Sequence, residues 1–260
     1  IPYVITEHWT CYHKVVLPRP SWIQQLITRL VANKASLILP VSEDLAQAMR
    51  SSGIQTEMNV VYNVIDTSLF VPGDASARKG NQLIHVSSLA RLQKNPSLLF
   101  RAFAELREWK PDLHLQIVSD GDFSVFQEEI KQLKIEEYIV FHGTLEAKEI
   151  AEVLKGADLF VLTSRFENLP CVLIESISAG VPIVSTNVGG IKEIVHSANG
   201  QLVPSEDQVA LVAAIKEQLV RLEKYDSSIM HQEAAAQFSY QAIGKRFSDI
   251  YEAIISKHGS

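Results

Sequence analysis

Residues 163–193 read TSRFENLPCVLIESISAGVPIVSTNVGGIKE, and this stretch decides the fold. The apolar run Leu159–Leu162 enters it as a strand, and Pro170 opens a helix over Val172–Ser178. Ile183–Ser185 is a second strand, and Gly189-Gly190 turns the chain into a short helix, IKEIV. The central helix is nearly all apolar and carries one carboxylate, Glu175. A buried carboxylate without partners is costly or gives up its charge. The helix is therefore expected to end in a crevice, with Glu175 facing a bound hydroxylated molecule.

The same alternation extends in both directions. Downstream of residue 82 the strands are expected at Leu83–Val86, Leu113–Val118, Tyr138–Phe141, Leu159–Leu162 and Ile183–Ser185. Helices fall near Ser97–Trp109, Ser124–Leu133, Lys148–Leu154, Val172–Ser178 and Gln208–Glu223. Continuously apolar strands alternating with helices indicate an α/β fold with a doubly wound parallel sheet. Upstream, Tyr3–Thr6, Leu37–Val41 and Asn59–Tyr62 read as strands, separated by helices at Trp22–Ala32 and Glu43–Arg50. Between the two series, Val71–Gln82 (VPGDASARKGNQ) has no periodicity and reads as a linker. Three parallel strands make a thin independent domain. The segment 1–70 therefore reads as a partial domain whose missing strands lie upstream of Ile1 or are covered by another chain or segment. It is expected to pack against the helix Tyr240–Ile255 and a neighbouring copy, or else to be the least stable part of the chain.

Composition narrows the class. The 260 residues are 47% apolar and 21% charged, with a formal charge of −6, so the chain has a real core and no general attraction for nucleic acid. Cys11 and Cys171 belong to no CxxC or Cys/His cluster, which argues against structural zinc. No apolar run approaches the roughly 20 residues that span a bilayer. The opening IPYVITEHW reads as a strand, neither a secretion signal nor the natural start of a domain.

Several residues stand at the strand ends where an α/β sheet presents ligand-binding groups. Lys94 precedes Asn95-Pro96, an N-cap and a first-turn proline, which joins a cation to free helix amides and suits an anion, phosphate especially. Arg91 lies nearby; a solvated surface position explains either cation equally. Gly121, in the turn Ser119–Asp122, permits close ligand approach, although a plain tight turn explains it equally well. Gly189-Gly190, before the short helix IKEIV, is the better candidate for a phosphate or sugar contact through backbone N–H groups. Glu167 and Glu175 cross a loop-to-helix junction and can face one crevice at different depths, accepting hydrogen bonds from sugar hydroxyls. Two-carboxylate glycoside hydrolysis is the alternative chemistry for such a pair. His8 ends the first strand.

Together these residues resemble the large retaining glycosyltransferase family with the GT-B fold, family 4 or glycosyl transferases group 1. The Glu167–Glu175 segment, ENLPCVLIE, matches the family's E-x7-E motif and continues through Ala179-Gly180-Val181-Pro182 and Gly189-Gly190-Ile191-Lys192-Glu193. Supporting matches are VSSLARLQKNP at Val86–Pro96, VSEDL at Val41–Leu45, YNVIDTSLF at Tyr62–Phe70 and FSYQAIGKRFSDIY at Phe238–Tyr251.

The resemblance implies a partial N-terminal Rossmann-like domain (1–75) on the acceptor side and a complete donor-binding one (76–238). The final helix (239–260) would cross back to the first. It implies transfer of a hexosyl group from a UDP- or GDP-sugar to an acceptor hydroxyl, with retention and without a required metal or tightly bound cofactor. Glu175 would hold the donor ribose. Glu167 would lie by the transferred sugar, assisted by backbone amides near Asn168 and Leu169. Leu173 would contribute to donor binding, and Lys94 would meet the diphosphate. Phe141, His142 and Gly143 would meet the base, and His8 would approach the sugar from the opposite domain. The acceptor would be a glycan, a lipid-linked molecule or a small molecule, and a second copy could cover the partial domain. The expected location is the cytoplasm or the inner face of the membrane. Two departures matter. The family's Gly-Arg pair before the lysine is Ser87-Ser88 here, with one extra residue before Lys94, so Arg91 would have to compensate while Ser88 would lie at the donor site. The opening strands of the expected N-terminal half are also missing. A nucleotide-sugar-binding fragment without transferase activity is the rival reading. A dinucleotide oxidoreductase is weaker, for lack of an early GxGxxG. A nucleotide-sugar epimerase fits the E-x7-E neighbourhood less well.

Overall fold

The computed structural model describes residues 2–12, 20–74, 76 and 78–258; Ala75 and Ala77 of the expected linker lie outside that set. Two parallel sheets form. The first joins β1 (Val4–Glu7) to β2 (Leu37–Pro40), with Val4 opposite Leu37 and Glu7 opposite Pro40. Helices α1 (Trp22–Ala32) and α2 (Glu43–Ser51) flank β2 in sequence, each opened by a serine, Ser21 and Ser42, whose hydroxyl accepts a first-turn amide.

The expected third strand, Asn59–Tyr62, does not complete. The segment runs beside β2, with Ile38 N–H donating to Glu57, Asn59 N–H to Ile38 and Val61 N–H to Pro40. Only Ile38 and Met58 form a bridge, however, and the strand order of this sheet is β1-β2. The reason lies in Pro40, which has no N–H to return the next ladder bond after Ile38.

The second sheet has six parallel strands in the order β5-β4-β3-β6-β7-β8. They are β3 (Gln82–Val86), β4 (His114–Val118), β5 (Ile139–Phe141), β6 (Leu159–Leu162), β7 (Ile183–Thr186) and β8 (Gly200–Val203). The helices between them are α3 (Arg91–Lys94), α4 (Pro96–Trp109), α5 (Gln127–Gln132), α6 (Ala147–Lys155), α7 (Cys171–Ser178) and α8 (Gln208–Val220). β8 and a further helix, α9 (Ser227–Phe238), add to the elements expected from sequence. The chain order runs outward from β3 in one direction and from β6 in the other, so the topological switch lies between them, and ligands collect beyond the carboxyl ends of the strands at such a point. All four β6 residues are fully buried, as a strand covered on both faces requires.

On one face of this sheet Leu83, Leu115, Leu159 and Val161 pack with Phe100, Phe103, Leu211 and Ile215 of α4 and α8. The opposite face forms a cluster with α7, and that cluster is continuous with the N-terminal segment: Ile38, Leu45 and Met49 pack in the same core as Ile84, Phe160 and Ile174. The last helix, α10 (Tyr240–His258), places Ile243 and Ile250 on Leu37, Leu39 and Val61. Six apolar residues of α1, namely Trp22, Ile23, Leu26, Ile27, Leu30 and Val31, remain largely exposed, far more than a surface helix usually shows.

Candidate active site

The carboxyl ends of β3, β4 and β6 surround a cavity of about 450 Å³ lined by Ser87, Ser88, Lys94, Asp120, Glu167 and Cys171, among others. The residues that open α7 form one wall. A cavity of similar size, about 470 Å³, lies among α1, α2 and the turn Thr10–Tyr12; Cys11 lines it, and none of the candidate donor-site residues does.

Lys94 and Glu167 meet although 73 positions separate them: Nζ lies 2.5 Å from Oε1, with both side chains largely buried. A frame of backbone bonds sets this contact. Thr163 Oγ1 donates to the Lys94 carbonyl (2.9 Å), and Arg165 N–H donates to the Gln93 carbonyl (2.7 Å). The Arg165 guanidinium reaches the Arg91 carbonyl and pairs with Glu206. The loop after β6 is thereby stitched to α3, and Ser164 Oγ adds a 2.6 Å bond to the same Glu167 oxygen.

Glu175 sits one helical turn beyond Cys171, among Leu173, Ile174 and Ile177 of the core. No hydrogen bond or ion pair to its carboxylate is found among the described residues, and burial pushes its pKa up from 4.5 to about 7. The solitary carboxylate expected from sequence is therefore desolvated and uncompensated. Leu173 itself is fully buried in the core, so its side chain packs the helix that carries Glu175.

The loop between the two glutamates also holds the N-terminal segment. Asn168 Nδ2 donates to the His8 carbonyl at 2.6 Å, and Asn63 Nδ2 donates to the Leu169 carbonyl at 2.7 Å. His8 Nδ1 faces Asn63 Oδ1 at 3.0 Å. A carbonyl oxygen only accepts, so Nδ1 carries a proton in this contact. Glu193 provides a second tie, its carboxylate accepting the amides of Glu43 (2.9 Å) and Asp44 (3.0 Å) at the start of α2. Asn63 and Glu193 were given no role from sequence. Both lie in quoted motifs, YNVIDTSLF and GGIKE, but their partners stand in distant parts of the chain, beyond the reach of local pattern.

Four expectations change. Asn95 does not cap α4: its φ of 49° is left-handed, and its side chain turns to Glu206, since a residue serving as the hinge between α3 and α4 cannot also take cap geometry. Arg91 turns away from the cavity, donating to the Val125 carbonyl (2.7 Å) and lying over the Phe126 ring. Gly121 serves a tight chain crossing, because a Cβ there would stand 2.1 Å from the Ser88 carbonyl oxygen; its N–H is taken by Ser119 Oγ. At Gly189, which has φ 57°, a Cβ would meet the Glu167 carbonyl oxygen at 2.0 Å, and the Gly190 N–H donates to the Asn168 carbonyl. This pair packs the loop of Glu167 rather than offering the Gly190 amide to a ligand. At the far end, Phe141 stacks on Phe123 (4.3 Å between centroids), His142 Nε2 bonds Gln116, and the Gly143 carbonyl accepts Ser119 N–H. Ser88 remains exposed at the cavity edge.

Among the described residues, no group of three or more His, Cys, Asp or Glu is placed to hold a metal ion, and no helix is long and apolar enough to cross a membrane. The chain belongs to the glycosyl transferases group 1 family, whose profile matches residues 72–235. It is 28% identical over 212 residues to the N-acetyl-alpha-D-glucosaminyl L-malate synthase of Bacillus anthracis, covering 76% of this chain and 54% of that protein. The chain thus spans about half the length of the curated relatives it matches. Among solved structures, sucrose-phosphate synthase of Thermosynechococcus elongatus superposes with a TM-score of 0.84 at 19% identity, over 98% of this chain and 68% of that one. HepE of Anabaena, in complex with UDP, gives 0.84 at 22% identity, over 97% and 72%. The fold is GT-B, with the first of its two Rossmann-like sheets reduced to two strands.

Proposed function

We propose that this chain carries the donor site of a retaining glycosyltransferase, which moves a hexosyl group from a nucleoside diphosphate sugar to an acceptor hydroxyl. The observation that carries the reading is the desolvated Glu175, without a partner among the described residues, one helical turn beyond Cys171, which lines the same cavity as the Lys94–Glu167 pair. A vicinal diol supplies the two O–H donors that Glu175 lacks, and the ribose of the donor is such a diol. Lys94 is the cation for the diphosphate. As the bond to the sugar breaks, negative charge grows on the β-phosphate, and a fixed cation in a partly dry site stabilises that charge without reorganising. Glu167 holds Lys94 and faces the transferred sugar, so donor entry means sharing the ammonium between carboxylate and phosphate. His8, held over the Glu167 loop by Asn63 and Asn168, is the contact from the acceptor side. Residues 1–75 with the helix 239–260 are taken as that side, and 76–238 as the donor domain. HepE was solved with UDP, which makes UDP the first nucleotide to test against this cavity.

Calorimetric titration of the chain with UDP, GDP and their hexose conjugates, alongside donor hydrolysis and transfer assays, tests the proposal. Binding with turnover supports the transferase. Binding without turnover, in the presence of varied acceptors, favours a nucleotide-sugar-binding fragment, for which the two-strand first sheet is the supporting observation. Absence of binding to either nucleotide refutes the donor site.

A further inference from the structure

At the place where the resemblance leads one to expect a phosphate-binding arginine, the chain has two serines, and Arg91 is turned elsewhere. Just upstream of the serines, His85 offers an alternative means of securing the phosphate end. His85 is fully buried on β3, between the sheet and the α4–α8 layer, and no proposed catalytic step uses it. Its Nδ1 lies 2.8 Å from the Val161 carbonyl on β6 and its Nε2 lies 2.7 Å from Ser87 Oγ. A backbone carbonyl only accepts, so Nδ1 carries the proton. Burial holds the ring neutral, with its pKa lowered to about 4, so Nε2 is an acceptor and the Ser87 hydroxyl must donate to it.

The consequences run along the chain toward Lys94. With its proton committed to His85, Ser87 Oγ accepts the Leu89 N–H at 3.1 Å. That bond closes a turn in which Leu89 adopts a φ of 54° with its side chain buried, a backbone region that residues with a Cβ adopt only when the surroundings fix it. Leu89 leads directly into α3, where Lys94 N–H bonds the Ala90 carbonyl at 2.7 Å. Val161 O, His85, Ser87 and Leu89 thus form one hydrogen-bonded series from the middle of the sheet to the root of the lysine. The series also fixes what Ser87 shows to the cavity, which it lines: a lone pair rather than a proton. An anionic oxygen gains nothing from Ser87 directly.

We propose that His85 is a positioning residue, acting through the Ser87 hydroxyl and the Leu89 turn to aim Lys94 at the phosphate end of the donor. This rests on the donor-site reading above. Among the described residues, one rigidly placed cation, Lys94, would then hold the diphosphate where the resemblance leads one to expect two.

The test uses the full chain with Ser87→Ala, Ser87→Thr, His85→Phe, Lys94→Ala and the Ser87→Ala/Lys94→Ala pair. Affinities for UDP and uridine are measured by titration, melting temperature by scanning calorimetry, and Lys94 acylation by mass spectrometry after brief treatment with an amine-reactive ester. Ser87→Ala is expected to weaken UDP about three- to tenfold, the range for one lost hydrogen bond, with uridine unchanged and the melting temperature nearly so. Ser87→Thr, which keeps the hydroxyl, is expected to restore the affinity. In the Lys94→Ala background Ser87→Ala is expected to cost nothing further, because residues acting through one another are non-additive. Additive losses, or equal losses for UDP and uridine, overturn the proposal and leave Ser87 a local structural residue. Should the parent chain bind no nucleotide, the donor-site reading fails on its own, and the labelling still decides this one. Several-fold faster acylation of Lys94 alone in Ser87→Ala and His85→Phe upholds the positioning role; an unchanged labelling rate refutes it.

Discussion

Replacing Glu175 by Gln should make the protein more stable and less able to hold its ligand, and the two effects should separate with pH. The carboxylate has no partner among the described residues, and burial raises its pKa from 4.5 to about 7. A raised carboxyl favours folding while it is protonated. That contribution is complete below about 4.5 and is lost as pH rises through about 7. The shift corresponds to about 3 kcal/mol between the two protonation states, with water entry at the crevice bringing the realised value toward roughly 1–3 kcal/mol. Gln keeps the shape without the charge. At pH 8.5 Glu175→Gln should therefore melt roughly 2–12 °C higher than the parent, at about 2–4 °C per kcal/mol for a chain near this size. At pH 5 the free-energy advantage should shrink below about 1 kcal/mol, because the parent is then largely protonated when folded. In the same variant, affinity for the nucleotide sugar should fall by roughly 1–3 kcal/mol, the cost of losing a charged acceptor. Parent affinity should rise between pH 6 and 8 as Glu175 ionises. Thermal denaturation at the two pH values, with calorimetric titration, measures all of this. A destabilised Gln variant, or a stability difference indifferent to pH, would show a carboxylate that is paired or solvated and remove Glu175 from the site.

Three further perturbations probe the remaining contacts. Lys94→Ala should leave uridine affinity nearly unchanged and weaken UDP, with the loss shrinking as salt rises; equal weakening of both ligands in titrations would make Lys94 a structural residue. Glu167→Ala should depress sugar transfer more than UDP binding, measured by turnover and titration on one preparation, and parallel losses would contradict its place beside the sugar. Glu193→Ala removes the acceptor for two amides at the start of α2 and should lower stability by about 1–2 kcal/mol in denaturant titration, whereas an unchanged midpoint would mean that water replaces the contact.

The sequence made the βα alternation and the solitary Glu175 legible because both are local: strand apolarity and helix periodicity act over a few residues. β8 escaped because Gly200-Gln-Leu-Val has only two large apolar residues and opens on glycine. α9 escaped because its buried apolar positions, Met230, Ala234 and Phe238, are spaced four apart among further alanines that blur the stripe. Asn95 suits both a helix cap and a left-handed hinge, and only the path of α3 into α4 decides between them. The Lys94–Glu167 pair, the Glu193 tie and the direction of Arg91 depend on which loops the sheet order brings together. That order sets Leu83 of β3 opposite Leu159 of β6, a pairing across several intervening elements that no short window contains.

The unbroken core beneath both sheets has a consequence for how the molecule comes apart. Ile38, Leu45 and Met49 share one buried cluster with Ile84, Phe160 and Ile174, so peeling the N-terminal segment away would strip side chains from the face of the larger sheet as well. A protease that cuts once between residues 72 and 82 should therefore leave two fragments that stay associated through gel filtration. They should separate only under conditions that melt the whole protein, so a nicked molecule would be hard to tell from an intact one by any means that does not denature it.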